Sequence, residues 1–245
     1  MTVATAEERL AGPVRFARFA LPPNRRGYCG PGDDGSLEHY VNGHDDPGLR
    51  ELAAGFEGAY PYLQLLAGSN GRADPLDADV VEAYWIGNEL LDRVTPFDFG
   101  LSIDERFRRR AGSGWRHVES TIPAGVANHA YHVMHVMPWT GLLRDGIVDE
   151  PLAVIDRCRI SWATVLDGTG TSPGEAIVRR TPLVWSGSRL EFGVPTTEVV
   201  TCPIPVDTGD WVAIHWGWVC ERLDRRQVGW LQRVTNRQME SLRAG

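Results

Sequence analysis

The stretch Gly209–Arg225, GDWVAIHWGWVCERLDR, constrains the fold more than any other part of the chain. It reads as a turn, then a strand carrying one histidine, then the start of a helix. Gly209-Asp210 is turn chemistry, because glycine reaches dihedrals closed to other residues and aspartate bonds its own backbone. From Trp211 to Val219 the residues are mostly β-branched or aromatic, as a packed strand prefers. With a side-chain period of two, Val212, Ile214, Trp216 and Trp218 share one face, and Trp211, Ala213, His215 and Gly217 share the other. Asp224, with Gln227 three residues on, has the spacing of a helix capping box. His215 is therefore expected mid-strand on the less apolar face, its flank left open by Gly217.

The rest of the chain divides by texture. Val14–Ala20 reads as a strand or a short helix stopped by Pro22-Pro23. The glycine- and proline-rich loop NRRGYCGPGDDGS follows. Helical patterns run over Pro47–Leu66, which Pro61 kinks or divides, over Asp77–Val94, and over Leu101–Ala111. A polar connection over Arg144–Pro151 places a boundary near Asp145. Beyond it, short strands are predicted at 153–166, 175–185, 188–192, 196–202 and 211–220, then a helix over Asp224–Leu242 with Val228, Leu231, Val234 and Leu242 inward. Strands at that spacing suggest a small barrel. The expected class is α+β: a mostly α domain over 1–145, then a β-barrel with a terminal helix over 152–245.

Composition removes several functions. The 245 residues include no lysine, which excludes a P-loop lysine, a Schiff base and a kinase-type lysine together. A net charge of −7 argues against nucleic acid or an anionic membrane as partner. Arg106, Arg108, Arg109 and Arg110 cluster in ERFRRR, which is either a solvated helix face or a local patch. No run approaches the ~18 apolar residues of a membrane span, and the N-terminus lacks a signal peptide's apolar core. The cytoplasm is the expected compartment. The four cysteines form no CxxC pair, so they read as free thiols.

Histidines and cysteines are the remaining candidates for chemistry. His129, His132 and His135 form HxxHxxH, which on a helix puts three imidazoles along one side. They either ligate zinc or iron, with Cys29 or a carboxylate completing the set, or pack at a domain interface. Cys29 is either a thiolate favoured by Arg25 and Arg26 or a structural thiol in a turn. Cys202 and Cys220 read as strand packing. Cys158 opens the run CRISWATVLDG and, as a strand residue beside Ile160 and Trp162, reads as a buried thiol.

Gly209, Asp210, Trp211, Val212, Ile214, His215, Gly217, Leu223 and Asp224 fall in register on the closing pattern of the HypC family, with Trp218 for its usual phenylalanine. The C-terminal part, from Ile155 to Leu242, resembles these small chaperones of nickel-iron hydrogenase maturation. Cys158 then stands for the family's cysteine, although it is internal and Trp162-Ala163 replace the family's Pro-Gly. The whole chain, through FARFALPPNRRGYCGP and NHAYHVMHVMPW, also resembles an uncharacterised bacterial family encoded near nickel-iron hydrogenase genes.

The resemblance implies a HypC-like, OB-like barrel and a maturation chaperone without turnover of its own. It implies that Cys158 and His215 hold, transiently, an iron carrying cyanide and carbon monoxide, a combination that suits a thiolate and an imidazole. Its partners would be the immature hydrogenase large subunit and other maturation factors. The alternatives are a metal-dependent enzyme built on His129, His132 and Cys29, or a permanent accessory subunit of the hydrogenase.

Overall fold

Prolines and capping side chains set the helix boundaries. The computed structural model describes residues 10–32 and 35–242. Helix α1 spans Gly12–Asn24 and takes Pro22 and Pro23 into its last turn instead of ending before them. Gly12 is required at its start, since a Cβ there would lie 1.9 Å from the Leu76 carbonyl oxygen. Short helices α2 (Ser36–Tyr40), α3 (Pro47–Ala54) and α4 (Tyr60–Ser69) follow. The helix predicted over Asp77–Val94 is α5 (Ala78–Trp85), capped by Asp77, and then a 3-10 turn over Glu89–Arg93. Gly87, at φ 106, breaks the run between them.

Helix α6 (Pro96–Ala111) starts earlier than predicted, because Thr95 caps it and Pro96 suits the first turn. Its arginines are largely used: Arg108 pairs with Asp104 and Glu119, Arg110 pairs with Glu57, and Arg106 stacks on Tyr62. Helices α7 (Trp115–Thr121), α8 (His129–Tyr131) and α9 (Trp139–Arg144) complete the front region. No helix among the described residues is long and apolar enough to cross a membrane.

One element differs in kind from its prediction. The strand expected over 153–166 is helix α10 (Asp149–Cys158) followed by strand β1 (Ser161–Asp167). Asp149, Glu150 and Pro151 in the first turn favour a helix start, and Val154, Ile155 and Cys158 recur at helical spacing. Cys158 is therefore the last residue of a helix.

Strands β2 (Glu175–Arg180), β5 (Thr196–Thr201), β6 (Trp211–His215) and β7 (Trp218–Leu223) join β1 in a mixed sheet. Strands β3 (Leu183–Trp185) and β4 (Leu190–Phe192) form a separate hairpin. The sheet order is β1-β2-β5-β7-β6, with β6 also paired to β1, so the pairing returns on itself. The β5–β7 seam is a single parallel bridge, Thr201 with Trp218, and the ring is thin there.

The run predicted as one strand over 211–220 is the β6–β7 hairpin. Trp216 and Gly217 both take positive φ, 53° and 74°, as a two-residue type I′ turn requires. The register steps from Ala213↔Glu221 to Ile214↔Val219, leaving Cys220 as a bulge. Val212 and Ile214 enter the sheet's own core, while Ala213 and Cys220 join the helical core. Helix α11 (Arg225–Ser241) then begins with the expected capping box of Asp224 and Gln227.

Helices and sheet share that larger core, in which Phe16, Phe19 and Trp85 lie with Ala213, Leu223, Val228 and Leu231. A buried polar knot ties the same elements. Arg15 of α1 donates to Glu221 of β7 at 2.7 Å and lies 3.5 Å from Glu82 of α5. Gln227 of α11 donates to both carboxylates at 3.2 Å. Removing one partner of a buried pair strands the other's charge. Arg15→Met should therefore cost about 3 kcal/mol in urea unfolding; a loss below about 1 kcal/mol would show that the knot holds nothing together.

Candidate metal centre

Three distant segments deliver side chains to one point: His129 opens α8, Cys158 closes α10 and His215 ends β6. One ligand atom from each lies within 4.8 Å of the other two. Cys158 Sγ is 3.9 Å from His129 Nε2. Around a four-coordinate ion with nitrogens near ~2.1 Å and sulfur near ~2.3 Å, such donors stand about 3.5 Å apart. From separations within 4.8 Å, no pair needs to close by more than about 1.3 Å.

His215 is held by a vacancy in a helix. Its Nδ1–H donates to the carbonyl oxygen of Phe19 at 2.7 Å. That carbonyl has no α-helical or 3-10 donor, because the residues three and four positions on are Pro22 and Pro23. The bond fixes the tautomer and leaves the Nε2 lone pair for a ligand. Nε2 is buried with no hydrogen-bond partner, and an orphaned acceptor of that kind is costly in a core. The expected open flank is absent: His215 is 0% exposed, with the rings of His129 and Trp85 at 5.2 and 5.7 Å.

His129 is placed by its neighbour. The Asn128 side chain caps α8 at the Ala130 N–H and donates to the Ala83 carbonyl of α5 at 2.9 Å. His129 Nε2 lies 2.9 Å from the Cys158 carbonyl oxygen, and Nδ1 lies 3.3 Å from the Tyr84 hydroxyl. Tyr84 Oη is also 3.3 Å from the Gly58 carbonyl. Two proton arrangements fit these atoms. Without a metal, Nε2–H donates to Cys158 and the Tyr84 hydroxyl donates to Nδ1. With a ligated Nε2, Nδ1–H donates to Tyr84 and Tyr84 donates to Gly58.

Cys158 is fixed through Asp156, two residues before it. That carboxylate accepts from Arg180 at 2.8 and 3.1 Å, from Arg159 at 3.2 Å and from the Leu183 N–H at 2.8 Å. Cys158 keeps a little solvent contact, yet burial pushes its thiol up to about 12. Cys29 adds to that rise, and the indole N–H of Trp216, which makes no full hydrogen bond elsewhere, opposes it. Burial lowers His129 to about 4 and holds His215 well below the usual imidazole range. At neutral pH the site is a thiol and two neutral imidazoles, all uncharged. A metal would expel the thiol proton, meet the free lone pair of His215 Nε2, and require His129 to shift its proton from Nε2 to Nδ1.

The other candidates lie apart from these donors. Residues His132–Val136 form a π-turn, which breaks the three-residue alignment of HxxHxxH. His132 packs on Tyr62 and Phe107, with Nδ1 3.5 Å from the Tyr62 hydroxyl. His135 Nε2 meets Ser241 Oγ at 3.0 Å. Cys29 is pushed up to about 12 by burial, not down by its arginines. Arg25 is paired with Glu38 and lies over Trp218, and Arg26 lies over Trp216. Cys202 donates to the Ile204 carbonyl, and Cys220 is the buried bulge.

Over residues 8–244 the chain matches the family described as "Family of unknown function (DUF6390)". The chain belongs to that family. No curated protein and no solved structure matches it.

Sequence reasoning placed Tyr84 among the apolar positions of a helix and missed its hydroxyl. It read Pro22-Pro23 as a stop and missed the carbonyl they free. The double proline was the visible signal for the second; no local pattern marked the first.

Two outcomes follow from this geometry. Co2+ should bind the metal-free protein at one equivalent with a thiolate charge-transfer band, absent in Cys158→Ser. Tyr84→Phe and Pro23→Ala should each weaken Co2+ binding about tenfold or more with the fold retained, as loss of a ligand's outer partner does. Pro23→Ala acts by restoring an N–H that competes for the Phe19 carbonyl. A Pro23→Ala protein with unchanged affinity would remove that carbonyl from the site.

Buried neutral histidines also set a pH dependence. Above about 6.5 these rings are neutral in both folded and unfolded chains, and their stability contribution is full. Below it the unfolded chain takes protons that the fold refuses until about 4 for His129 and about 3 for His132 and His135. Stability should fall through that window by about 1.4 kcal/mol per pH unit for each ring. Equal unfolding free energies at pH 7 and pH 5 would contradict this.

Proposed function

We propose that the chain is a maturation chaperone for a nickel-iron hydrogenase, holding the iron–diatomic unit as cargo between Cys158, His129 and His215 and passing it to the immature large subunit. The observation that carries the metal part is the orphaned Nε2 of His215, buried beside a thiol and a second imidazole. A soft sulfur and two nitrogens suit iron better than a hard cation such as magnesium. The set supplies one negative donor only, so a divalent ion would keep a charge that anionic co-ligands such as cyanide would neutralise in this apolar setting.

The hydrogenase part rests on the resemblance. Consistent with a HypC-like barrel are the ring-ordered sheet, the histidine at the end of β6 and the capped helix after β7. The departure is that Cys158 leaves a helix, and that His129, from the front region, is a third donor. A cytoplasmic setting belongs to the same proposal, since reduced thiols are needed.

Infrared spectroscopy of protein purified anaerobically from cells making the hydrogenase is the direct test. Carbonyl and cyanide bands are expected in the wild type and absent in Cys158→Ala of unchanged circular dichroism; bands that persist would remove Cys158 from the cargo site. Copurification separates the rival classes. The chaperone should trap the precursor large subunit, whereas an accessory subunit would stay with the mature enzyme.

A further inference from the structure

Beside the three donors, on the outer side of Trp216, lies a cleft of about 460 Å³ between α10 and the sheet. Arg26, Asp156, Arg157, Arg180, Glu198 and Trp216 line it. Its carboxylates are already used: Asp156 is paired with Arg180 and Arg159, and Glu198 with Arg180. These four groups balance in charge. Arg26 and Arg157 are left over, with no carboxylate partner among the described residues. Arg26 donates to the Pro22 carbonyl and lies over the Trp216 ring at 5.8 Å. In a chain of net charge −7, two uncompensated guanidinia at one cleft mark a place where an anion is favoured over a cation.

Trp216 stands between this cleft and the sulfur. It lines the cleft, its backbone N–H donates to the Arg157 carbonyl at 2.8 Å, and Cys158 is the next residue along α10. The residue sits at φ 53, where a bulky side chain is strained. Tyr28, 40% exposed, stacks on its outer face at 4.5 Å. Trp216 is itself 6% exposed and lies beneath that ring as a wall of the cleft.

We propose that this cleft binds a small oxyanion, carboxylate or phosphate, between Arg26 and Arg157, with Trp216 as the wall between that ligand and the Cys158 sulfur. The site accepts anion-bearing groups and presents them to the thiol. Metal loading is not required for it.

Alkylation of the metal-free full chain tests this with two reagents that differ in one charge. Iodoacetate carries the carboxylate and iodoacetamide is its neutral counterpart. In both, the Cys158 sulfur bonds to the methylene carbon, iodide leaves and the thiol proton passes to solvent. Peptide mass spectrometry reads each cysteine, so Cys29, Cys202 and Cys220 serve as internal controls. Iodoacetate should label Cys158 with saturating kinetics, at least about tenfold faster than iodoacetamide, the size of one charge-assisted hydrogen bond.

Arg26→Gln and Arg157→Gln should each abolish that preference, and Trp216→Ala should raise both rates. Acetate or inorganic phosphate should protect, and the one that protects at lower concentration identifies the oxyanion. Faster labelling by iodoacetamide, insensitivity to both arginines, or no labelling by either reagent would overturn the proposal. Co2+ titration of the arginine variants keeps the two readings separate. Metal binding with no anion preference sinks only the cleft, and anion preference with no metal binding sinks only the chaperone's donor set.

Discussion

The hydrogen bond from His215 Nδ1 to the Phe19 carbonyl joins the two halves of the protein at the point where chemistry is possible. It exists because consecutive prolines in the last turn of α1 leave that carbonyl without helical donors. A helix end normally meets water or a cap; this one meets a strand histidine 196 positions later in the chain. The bond satisfies a buried acceptor, draws β6 onto α1 and decides which ring nitrogen faces the thiol. The stacked rings of Phe19 and Trp85 then fill the space around it.

Electrostatic neutrality explains why such a site can sit in a core. Isolated charges would be too costly there, and burial keeps the thiol protonated and the imidazoles neutral. The unliganded arrangement is thus compatible with folding. What it leaves unmet is one lone pair, on His215 Nε2. The permanent charges are kept outside the donor set and are paired there: Arg15 with Glu221 and Glu82, and Asp156 with Arg159 and Arg180. These knots hold α1, α5 and α10, which place a donor or its outer partner, and β7, which pairs with the donor strand β6.

Much of the rear of the fold was legible because local chemistry and tertiary structure agree. The alternation along 211–215 put Ala213 and His215 opposite Val212 and Ile214, and the structure keeps that division. Asp224 and Gln227 form their capping box. The alternation failed at Trp216, where a tryptophan in a left-handed turn ends the strand that aromatic content argued for extending. It failed again before Cys158, where Val154, Ile155, Ile160 and Trp162 suit either period and only the acidic, proline-bearing first turn favours a helix. The site was legible by residue type and not by grouping: His129 read as a partner of His132, but His129 meets Cys158 and His215 while His132 packs on Tyr62 and Phe107.

The front region's role follows from where the donors come from. A module over 152–245 would carry Cys158 and His215 but lack His129, the Tyr84 hydroxyl and the Phe19 carbonyl. Each of those groups comes from residues before the boundary expected near Asp145, and each acts on a donor directly. The larger core likewise contains side chains from both sides of that boundary. A rear sheet by itself would leave His215 free to take either tautomer and would offer two donors where the whole chain offers three. The front helices are thus part of the centre's construction. Tyr28 and Arg26, from the loop after α1, likewise lie against Trp216 of the β6–β7 turn.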